Sequence, residues 1–438
     1  MPTEPETLRD FVGIGLGPFN LGLACLNAPL SELDGLFLEQ QPEFTWHDGM
    51  LLENATLQTP FLADLVTLAD PTSPYSFLNY LKETGRLYPF YIRENFFPLR
   101  SEFSDYCRWA ADQLDNIHFD TRVTDIHHDP ASGHYLIHAV RPTTGAAVTY
   151  AARHLILGTG TAPHVPQAFA ALGGTELHSS RYLHRRARLV HQDTITVVGS
   201  GQSAAEIYYD LLQEIDIHGY ELTWITRSPR FFPLEYTKLT LELTSPDYTD
   251  HFHSLPPGTR QELLSEQNGL YKGIDASLIN AIYDLLYQKS RRGGCPTRLR
   301  PATAVTGARY DGTSDTYQLD LHHTERDVTH THATSGLVLA TGYTYRPPAF
   351  LNSIAPRLCW DEAGNLAAGR NYSVDTAGTE VFVQNAELGT HGFVTPDLGM
   401  AAYRNSYILR ELLGREPYPV ETRIAFQEFT GHPEVSHQ

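Results

Sequence analysis

Two glycine-rich segments of this chain are placed so that each can open a nucleotide-binding turn. The first, GIGLGP at residues 13–18, follows the apolar run Phe11-Val12, and the second, GSGQSA at residues 199–204, follows the apolar segment Thr194–Val198. Glycines in such turns let the backbone approach a pyrophosphate, while the N-terminus of the following helix faces its negative charge. Two turns make two pyrophosphate sites, so the sequence predicts one flavin and one nicotinamide dinucleotide, with redox chemistry between them.

The residue that ends the second strand of each unit indicates which nucleotide is bound. Glu39 follows the apolar segment Gly35–Leu38, where an acid about 20 residues past the turn can bind a ribose hydroxyl, as FAD requires. Arg227 takes the corresponding place in the second unit and suits a 2′-phosphate, which favours NADPH over NADH. The first turn departs from G-x-G-x-x-G, because Pro18 or Asn20, depending on register, replaces the third glycine.

Composition narrows the class of protein. A chain of 438 residues suggests two to three domains, and a net charge of −19 argues against binding to nucleic acid or to an anionic membrane. The four cysteines are scattered with no Cys-x-x-Cys, which fits a reducing compartment and excludes a dithiol redox centre. We expect no signal peptide, no membrane span and no metal site, and hence a cytoplasmic protein.

The alternation of strand and helix patterns predicts an α/β fold with two Rossmann-like dinucleotide-binding domains and a small, mainly helical substrate-binding region. We assign residues 1–165 and 335–438 to a discontinuous FAD-binding domain, because the strand-to-glycine segment at 337–343 is expected to return the chain to it. Residues 166–235 and 290–334 are assigned to the NADPH-binding domain, and residues 236–289 to the helical region.

A longer set of motifs carries a family resemblance. It comprises FTWHDGM at 44–50, LQTPFLADLV at 57–66, DPTSPYSFLNYL at 70–81, the second glycine turn, ATGY at 340–343 and THG at 390–392. Together these segments resemble the flavin-dependent N-hydroxylating monooxygenases of siderophore biosynthesis, which act on lysine, ornithine or diamines. The resemblance extends over nearly the whole chain.

The resemblance implies roles for the matching residues. It implies FAD contacts for Gly13, Gly15, Gly17, Pro18, Glu39, Trp46, His47, Gln58, Val123, Pro396, Asp397 and Leu398. It implies NADPH contacts for Ser200, Gly201, Gln202, Ser203 and Arg227. In this family O₂ is activated as a C4a-hydroperoxyflavin, so the flavin supplies the chemistry. We therefore expect no essential acid–base side chain. Gln58 is expected to lie near the flavin, without a certain catalytic role.

The departures from the family pattern point to the substrate. Amino-acid hydroxylases of this family typically have a lysine where Ala63 stands and a serine where Gly399 stands, and two head-group asparagines align with Leu241 and Leu270. A carboxylate that lacks its cationic partner in a closed site costs several kcal/mol, on the order of 3. We therefore expect a substrate without a carboxylate, the diamine cadaverine or putrescine.

Several alternatives stay open at this point. The acceptor of the distal ammonium is Asp397, Glu242 or Asp275, and the sequence does not rank them. An L-lysine N6- or L-ornithine N5-monooxygenase would bind the amino-acid head by other residues, and a disulfide reductase is disfavoured by the missing Cys-x-x-Cys. A non-catalytic flavin-binding or sensor protein would not need Arg227 beside an intact second turn. We expect a homo-oligomer, a dimer or a tetramer.

Overall fold

Strands and helices alternate along the computed structural model, which describes residues 7–291, 293–419 and 421–430. The strands are β1 Arg9–Ile14, β2 Gly35–Leu38, β3 Ile117–His118, β4 Arg122–Asp129, β5 His134–Val140, β6 Ala147–Leu157, β7 Ala162–Pro163, β8 Thr194–Val198, β9 Glu221–Ile225, β10 Thr297–Arg300, β11 Thr303–Asp311, β12 Thr316–His323, β13 Val328–Thr334, β14 Gly336–Leu339, β15 Tyr343–Thr344 and β16 Val381–Val383. The helices are α1 Pro18–Asn27, α2 Phe77–Glu83, α3 Leu87–Arg93, α4 Arg100–Ala111, α5 Tyr182–Leu189, α6 Gln202–His218, α7 Lys238–Leu241, α8 Pro246–Ser254, α9 Pro257–Glu266, α10 Asn268–Tyr271, α11 Ala276–Ser290, α12 Leu388–His391 and α13 Ala401–Leu413. The α/β class predicted from the sequence is confirmed.

The first sheet carries the first glycine turn. Its strands run in the order β3-β2-β1-β6, and β1 pairs in parallel with both β2 and β6. Beyond β6, the antiparallel strands β5 and β4 extend the sheet along its first half, while β16 lies parallel to its last residues. The buried positions of β2 and β16 form continuous apolar runs, as expected for parallel strands covered on both faces.

The second sheet is entirely parallel, in the order β10-β9-β8-β14, and carries the second glycine turn after β8. The placement of β14 corrects one prediction. Leu337 pairs with Thr196 of β8, so this strand completes the second sheet instead of returning the chain to the first. The predicted start of the second FAD-domain segment at residue 335 therefore lies one strand too early. An apolar strand followed by glycine fits either sheet equally well, so the sequence pattern did not distinguish them. With that change, we keep the domain limits as a proposal.

A three-stranded antiparallel sheet, β11-β12-β13, covers one face of the second sheet. Leu319 and Leu321 of β12 are buried there with Ile225 and Leu339 of the parallel sheet. His322 and His323 lie on β12, and His330 and His332 lie on the neighbouring strand β13. Within the described ranges, no group of three or more His, Cys, Asp or Glu side chains is arranged to hold a metal ion.

Helices α7 to α11 lie in the sequence between β9 and β10 of the second sheet, where a mainly helical segment is predicted. Phe252 of α8 is buried in the core of the first sheet, whereas Ile282 of α11 is buried in the core of the second. The region therefore packs against both nucleotide-binding units. None of the helices in the described ranges is both long enough and apolar enough to cross a membrane.

Candidate functional site

The first glycine turn leaves open backbone at the N-terminus of α1. Gly15 has a φ of +85°, and a Cβ there would lie 2.5 Å from the carbonyl oxygen of Gly158. A Cβ on Gly17 would meet no protein atom within 4 Å, and Gly17 caps α1 without a side-chain hydrogen bond, with Pro18 as the first helical residue. The turn therefore presents unpaired N–H groups to open space, as a pyrophosphate requires.

The third glycine of the motif is replaced by Asn20, and the structure shows how the fold accommodates it. The buried side chain of Asn20 donates from Nδ2 to the carbonyl of Gly15 (2.7 Å) and accepts from Nε2 of Gln384 (2.8 Å). A Cβ on Gly158 would lie 2.3 Å from this amide, so Gly158 makes the room that a third glycine would otherwise give. The register is therefore Gly15-x-Gly17-x-x-Asn20, with Gly13 still in the strand β1.

Glu39 lies at the turn, as predicted. Its carboxylate accepts the N–H of Leu16 (2.8 Å) and the N–H of Gln41 (2.8 Å). The N–H of Thr121 donates to its carbonyl (2.8 Å), which brings Val123 at the start of β4 close to the same edge of the sheet. The arrangement fits the ribose and adenine of a dinucleotide whose pyrophosphate rests on Gly17.

Trp46 and His47 lie in the loop that follows β2. The ring of Trp46 packs on Phe103 of α4, at 5.3 Å between centroids, and His47 has a left-handed φ of 53°. The surrounding protein and the charge of Arg100 lower the pKa of His47 to about 4, against the opposing effect of Asp48. The His47 side chain is nevertheless solvent-accessible, as expected for a neutral imidazole that lines a cavity.

The 57–66 segment contacts the residue that follows the second glycine turn through Gln58 and Gln202. Nε2 of Gln58 donates to Oε1 of Gln202 (3.4 Å), which also accepts the N–H of Asp275 (2.9 Å). Gln202 is the first residue of α6, directly after the second turn. The side chain predicted to lie near the flavin thus contacts a residue predicted to bind NADPH.

The second turn is similar to the first but less open, since a Cβ on Gly201 would lie 3.3 Å from the carbonyl oxygen of Lys272. A Cβ on Gly199 would lie 2.2 Å from the carbonyl oxygen of Ala340, and Gly201 caps α6 without a side-chain hydrogen bond. Ser200 and Ser203 are half-buried beside it. Arg227 stands two residues after β9 and is exposed, where its guanidinium is accessible to a phosphate.

Ala63 and Gly399, the two positions that depart most clearly from the family pattern, are neighbours in the structure. A Cβ built on Gly399 would lie 3.9 Å from Cβ of Ala63 and 3.1 Å from Oδ1 of Asp397. Ala63 is buried, whereas Asp397 and Leu398 are half-buried. The two segments that carry these residues, around Ala63 and at 397–399, therefore meet at this point.

The three acids considered for an ammonium group have different surroundings. Only Asp397 adjoins Gly399. Both carboxylate oxygens of Glu242 accept backbone N–H groups of Phe426 and Gln427, which ties Glu242 to the C-terminal segment. Asp275 caps α11 by accepting the N–H groups of Ser277 and Leu278.

The remaining predicted positions lie outside the group formed by Ala63, Gly399 and Asp397. Leu241 is exposed at the end of α7, and Leu270 on α10 packs against the core of the first sheet. Pro396 is exposed one residue before Asp397. The structure thus gathers the Ala63–Gly399–Asp397 group but leaves Leu241 at the surface.

Sequence reasoning missed two buried groups. The carboxylate of Asp64 accepts hydrogen bonds from the N–H groups of Val66, Thr67 and Phe77, so it folds the 57–81 segment around itself. Glu206 of α6 forms an ion pair with Arg100. Asp64 follows Ala63 in a recognised motif, which was a usable signal, whereas nothing local in the sequence pairs Arg100 with Glu206.

The chain is similar to proteins of known function. The family model described as L-lysine 6-monooxygenase/L-ornithine 5-monooxygenase matches residues 7–345. Putrescine N-hydroxylase of Shewanella oneidensis is 51% identical over 424 residues, covering 97% of this chain and 84% of that protein.

Solved structures show the same likeness. The FAD-bound cadaverine monooxygenase of the desferrioxamine pathway from Erwinia amylovora is 54% identical, with a TM-score of 0.95 over 98% of this chain and 100% of that one. The ornithine N-hydroxylase of Kutzneria sp. 744 with reduced FAD, NADP⁺ and L-ornithine is 28% identical, with a TM-score of 0.85 over 93% and 99% of the two chains.

Proposed function

Because the chain belongs to the L-lysine 6-monooxygenase/L-ornithine 5-monooxygenase family, we propose that it is an FAD- and NADPH-dependent monooxygenase that N-hydroxylates one primary amine of an aliphatic diamine, cadaverine or putrescine. The product is the N-hydroxydiamine, a building block of hydroxamate siderophores. The observation that carries the choice of substrate is the proximity of Ala63 and Gly399, where a Cβ built on Gly399 would lie 3.9 Å from Cβ of Ala63.

The charges around this contact favour a diamine over an amino acid. An amino-acid carboxylate needs a cation, but Ala63 and Gly399 offer none and Asp397 would repel it. The nearby guanidinium of Arg404 is already paired with Glu387 (2.9 Å), with both side chains buried. A buried carboxylate left without a partner costs on the order of 3 kcal/mol, which is more than a hundredfold in affinity.

The chain holds and shields the reactants. When bound, FAD reduced by NADPH would activate O₂, so that one oxygen atom is transferred to the amine and the other leaves as water. Gly17 and Glu39 hold the flavin nucleotide, while the second turn and Arg227 hold NADPH. Gln58 bridges the two sites.

The reacting nitrogen must carry a lone pair, yet a free alkylamine with a pKa of about 10.4 is only about 0.4% neutral at pH 8. Desolvation in a closed site favours the uncharged amine, because it lowers an amine pKa. His47 is neutral above pH 5 and adds no positive charge near it.

The test is product formation by purified, FAD-loaded protein with NADPH and O₂, offered cadaverine, putrescine, L-lysine and L-ornithine separately. Hydroxylamine from the diamines alone supports the proposal. Hydroxylamine mainly from lysine or ornithine would make it an amino-acid N-monooxygenase, and absence of NADPH oxidation with every amine would support a flavin-binding sensor.

Assembly and location are part of the proposal. We place the enzyme in the cytoplasm, supported by four cysteines that are all free thiols in the structure. We expect a dimer or a tetramer, which light scattering of the purified protein would measure.

A further inference from the structure

We propose that the side-chain carboxylate of Asp397 binds the second, non-reacting ammonium group of the diamine. This inference rests on the proposed function, since it specifies how the same site recognises its substrate. It assigns to Asp397 a role separate from any contact that its backbone makes with the flavin.

The carboxylate of Asp397 lies next to the space beside Ala63. Oδ1 of Asp397 accepts the N–H of Gly399 (2.7 Å), and Oδ2 forms no hydrogen bond with the described part of the chain. The position that a Cβ on Gly399 would occupy is 3.1 Å from Oδ1 and 3.9 Å from Cβ of Ala63. A side chain at residue 399 would therefore fill the space between the carboxylate and Ala63, and glycine keeps that space open.

Among the residues that the structure describes, none forms an ion pair with Asp397. Arg404, which acts on Asp397 electrostatically, donates to the carbonyl of Thr395 (2.6 Å) and is paired with the buried Glu387. Burial raises the pKa of Asp397, against the opposing effects of the Gly399 N–H and of Arg404. An ammonium group would complete this site, because a charge-assisted hydrogen bond to a partly desolvated carboxylate is among the stronger polar contacts.

The helical region also contributes a group near Asp397. The phenol of Tyr236 has a raised pKa, caused first by burial and second by Asp397. Tyr236 belongs to the segment that precedes α7, so Asp397 faces the helical region as well as Ala63.

A purely structural role for Asp397 is the main alternative. The residue caps the short 3₁₀ turn Leu398–Met400 through Oδ1. An asparagine has the same acceptor at this position and caps such turns about as well as aspartate. The substitution Asp397→Asn therefore separates the charge from the cap, because it removes the first and keeps the second.

The experiment compares Asp397→Asn with the unaltered enzyme on two amines with the same five-carbon chain, cadaverine and pentylamine. We expect kcat/KM for cadaverine to fall by about 100-fold, mainly through KM, because a bound ammonium loses its counter-charge. Pentylamine has no second ammonium, so its kcat/KM should change by less than about threefold. Cadaverine binding to the oxidised, FAD-loaded protein, measured by calorimetry, should weaken in parallel.

The control variant is Asp361→Asn, which alters a surface aspartate that accepts the N–H of Ala363 in a comparable turn, and should leave both amines unaffected. If Asp397→Asn does not fold, Asp397→Glu tests the same idea. Glutamate keeps the negative charge, but its longer side chain leaves a shorter space for the diamine. The substrate preference should therefore shift from cadaverine toward the shorter putrescine.

Cadaverine bound and hydroxylated by Asp397→Asn with an unchanged KM would overturn the inference, as would an unshifted chain-length preference in Asp397→Glu. Failure of the proposed function looks different. In that case the unaltered enzyme itself forms product from lysine or ornithine and none from either diamine.

Discussion

The guanidinium of Arg100 donates two hydrogen bonds, of 2.8 and 2.7 Å, to the two carboxylate oxygens of Glu206. Their side chains are only 13% and 5% exposed, and the pair joins α4, beside the first sheet, to α6, which follows the second glycine turn. Glu206 also accepts from Nε2 of Gln202 (2.9 Å). The ion pair therefore fixes the position of the turn residue that contacts Gln58.

Removal of one partner should destabilise the fold strongly. Arg100→Ala leaves Glu206 buried without a counter-charge, and we expect a loss of about 3–5 kcal/mol in the free energy of unfolding. The double variant Arg100→Ala/Glu206→Ala should lose less than the sum of the two single changes. Arg309→Ala, which breaks the exposed pair with Asp320, should cost below about 1 kcal/mol in the same denaturant titrations. Equal losses for Arg100→Ala and Arg309→Ala would contradict this account.

Two alanine substitutions in the first turn should separate folding from FAD binding. Gly17→Ala adds a Cβ that meets no protein atom, so the apoprotein should keep its melting temperature while its affinity for FAD falls about 10-fold or more. Gly15→Ala combines a positive φ with a clash against the Gly158 carbonyl and should lower the melting temperature as well. Thermal unfolding of the apoproteins and titration with FAD measure the two effects. An unchanged FAD affinity in Gly17→Ala would count against the pyrophosphate site.

Arg227 should set the preference between the two nicotinamide cofactors. Arg227→Ala should raise KM for NADPH about 10- to 100-fold and leave KM for NADH nearly unchanged, because only NADPH carries the 2′-phosphate. Arg230→Ala removes another exposed arginine three residues away and serves as the control. The measurement is the rate of flavin reduction with NADPH and with NADH. A parallel loss with both cofactors would contradict this prediction and point to a general electrostatic effect of Arg227.

His332 should make stability depend on pH. It lies on β13 with Nε2 2.9 Å from the hydroxyl of Thr196, and burial together with Arg300 and Arg298 lowers its pKa to about 4. The unfolded chain binds this proton at pH values below about 6.5, whereas the folded chain does so only near pH 4. Stability should therefore be full above pH 6.5 and fall as the pH approaches 4, by about 1–2 kcal/mol for this half-buried group. His332→Gln should flatten that part of the profile in urea titrations, and an unchanged slope would remove His332 as its source.

Local features of the fold were predictable from the sequence because short-range chemistry determines them. Strand β8 coincides with the predicted apolar segment Thr194–Val198, and α6 begins directly after the glycine turn. Glu39 reaches the first turn because a strand of fixed rise ends beside it.

Other features depend on contacts between distant parts of the chain. The partnership of Asn20 with Gly158 and Gln384, and the placement of β14 beside β8, follow from how the elements pack, which periodicity does not encode. The sequence singled out Ala63 and Gly399 as departures from a family pattern, but only the fold brings them together. The functional roles of the remaining site residues stay predictions.

The central claim is tested most directly by competition in one reaction. FAD-loaded enzyme with NADPH and O₂ would receive an equimolar mixture of cadaverine, putrescine, L-lysine and L-ornithine, and mass spectrometry would identify the N-hydroxylated products. The account predicts N-hydroxydiamine in large excess over either N-hydroxyamino acid. Predominant N6-hydroxylysine or N5-hydroxyornithine would contradict it, because Ala63, Gly399 and Asp397 would then admit the carboxylate that they are expected to exclude.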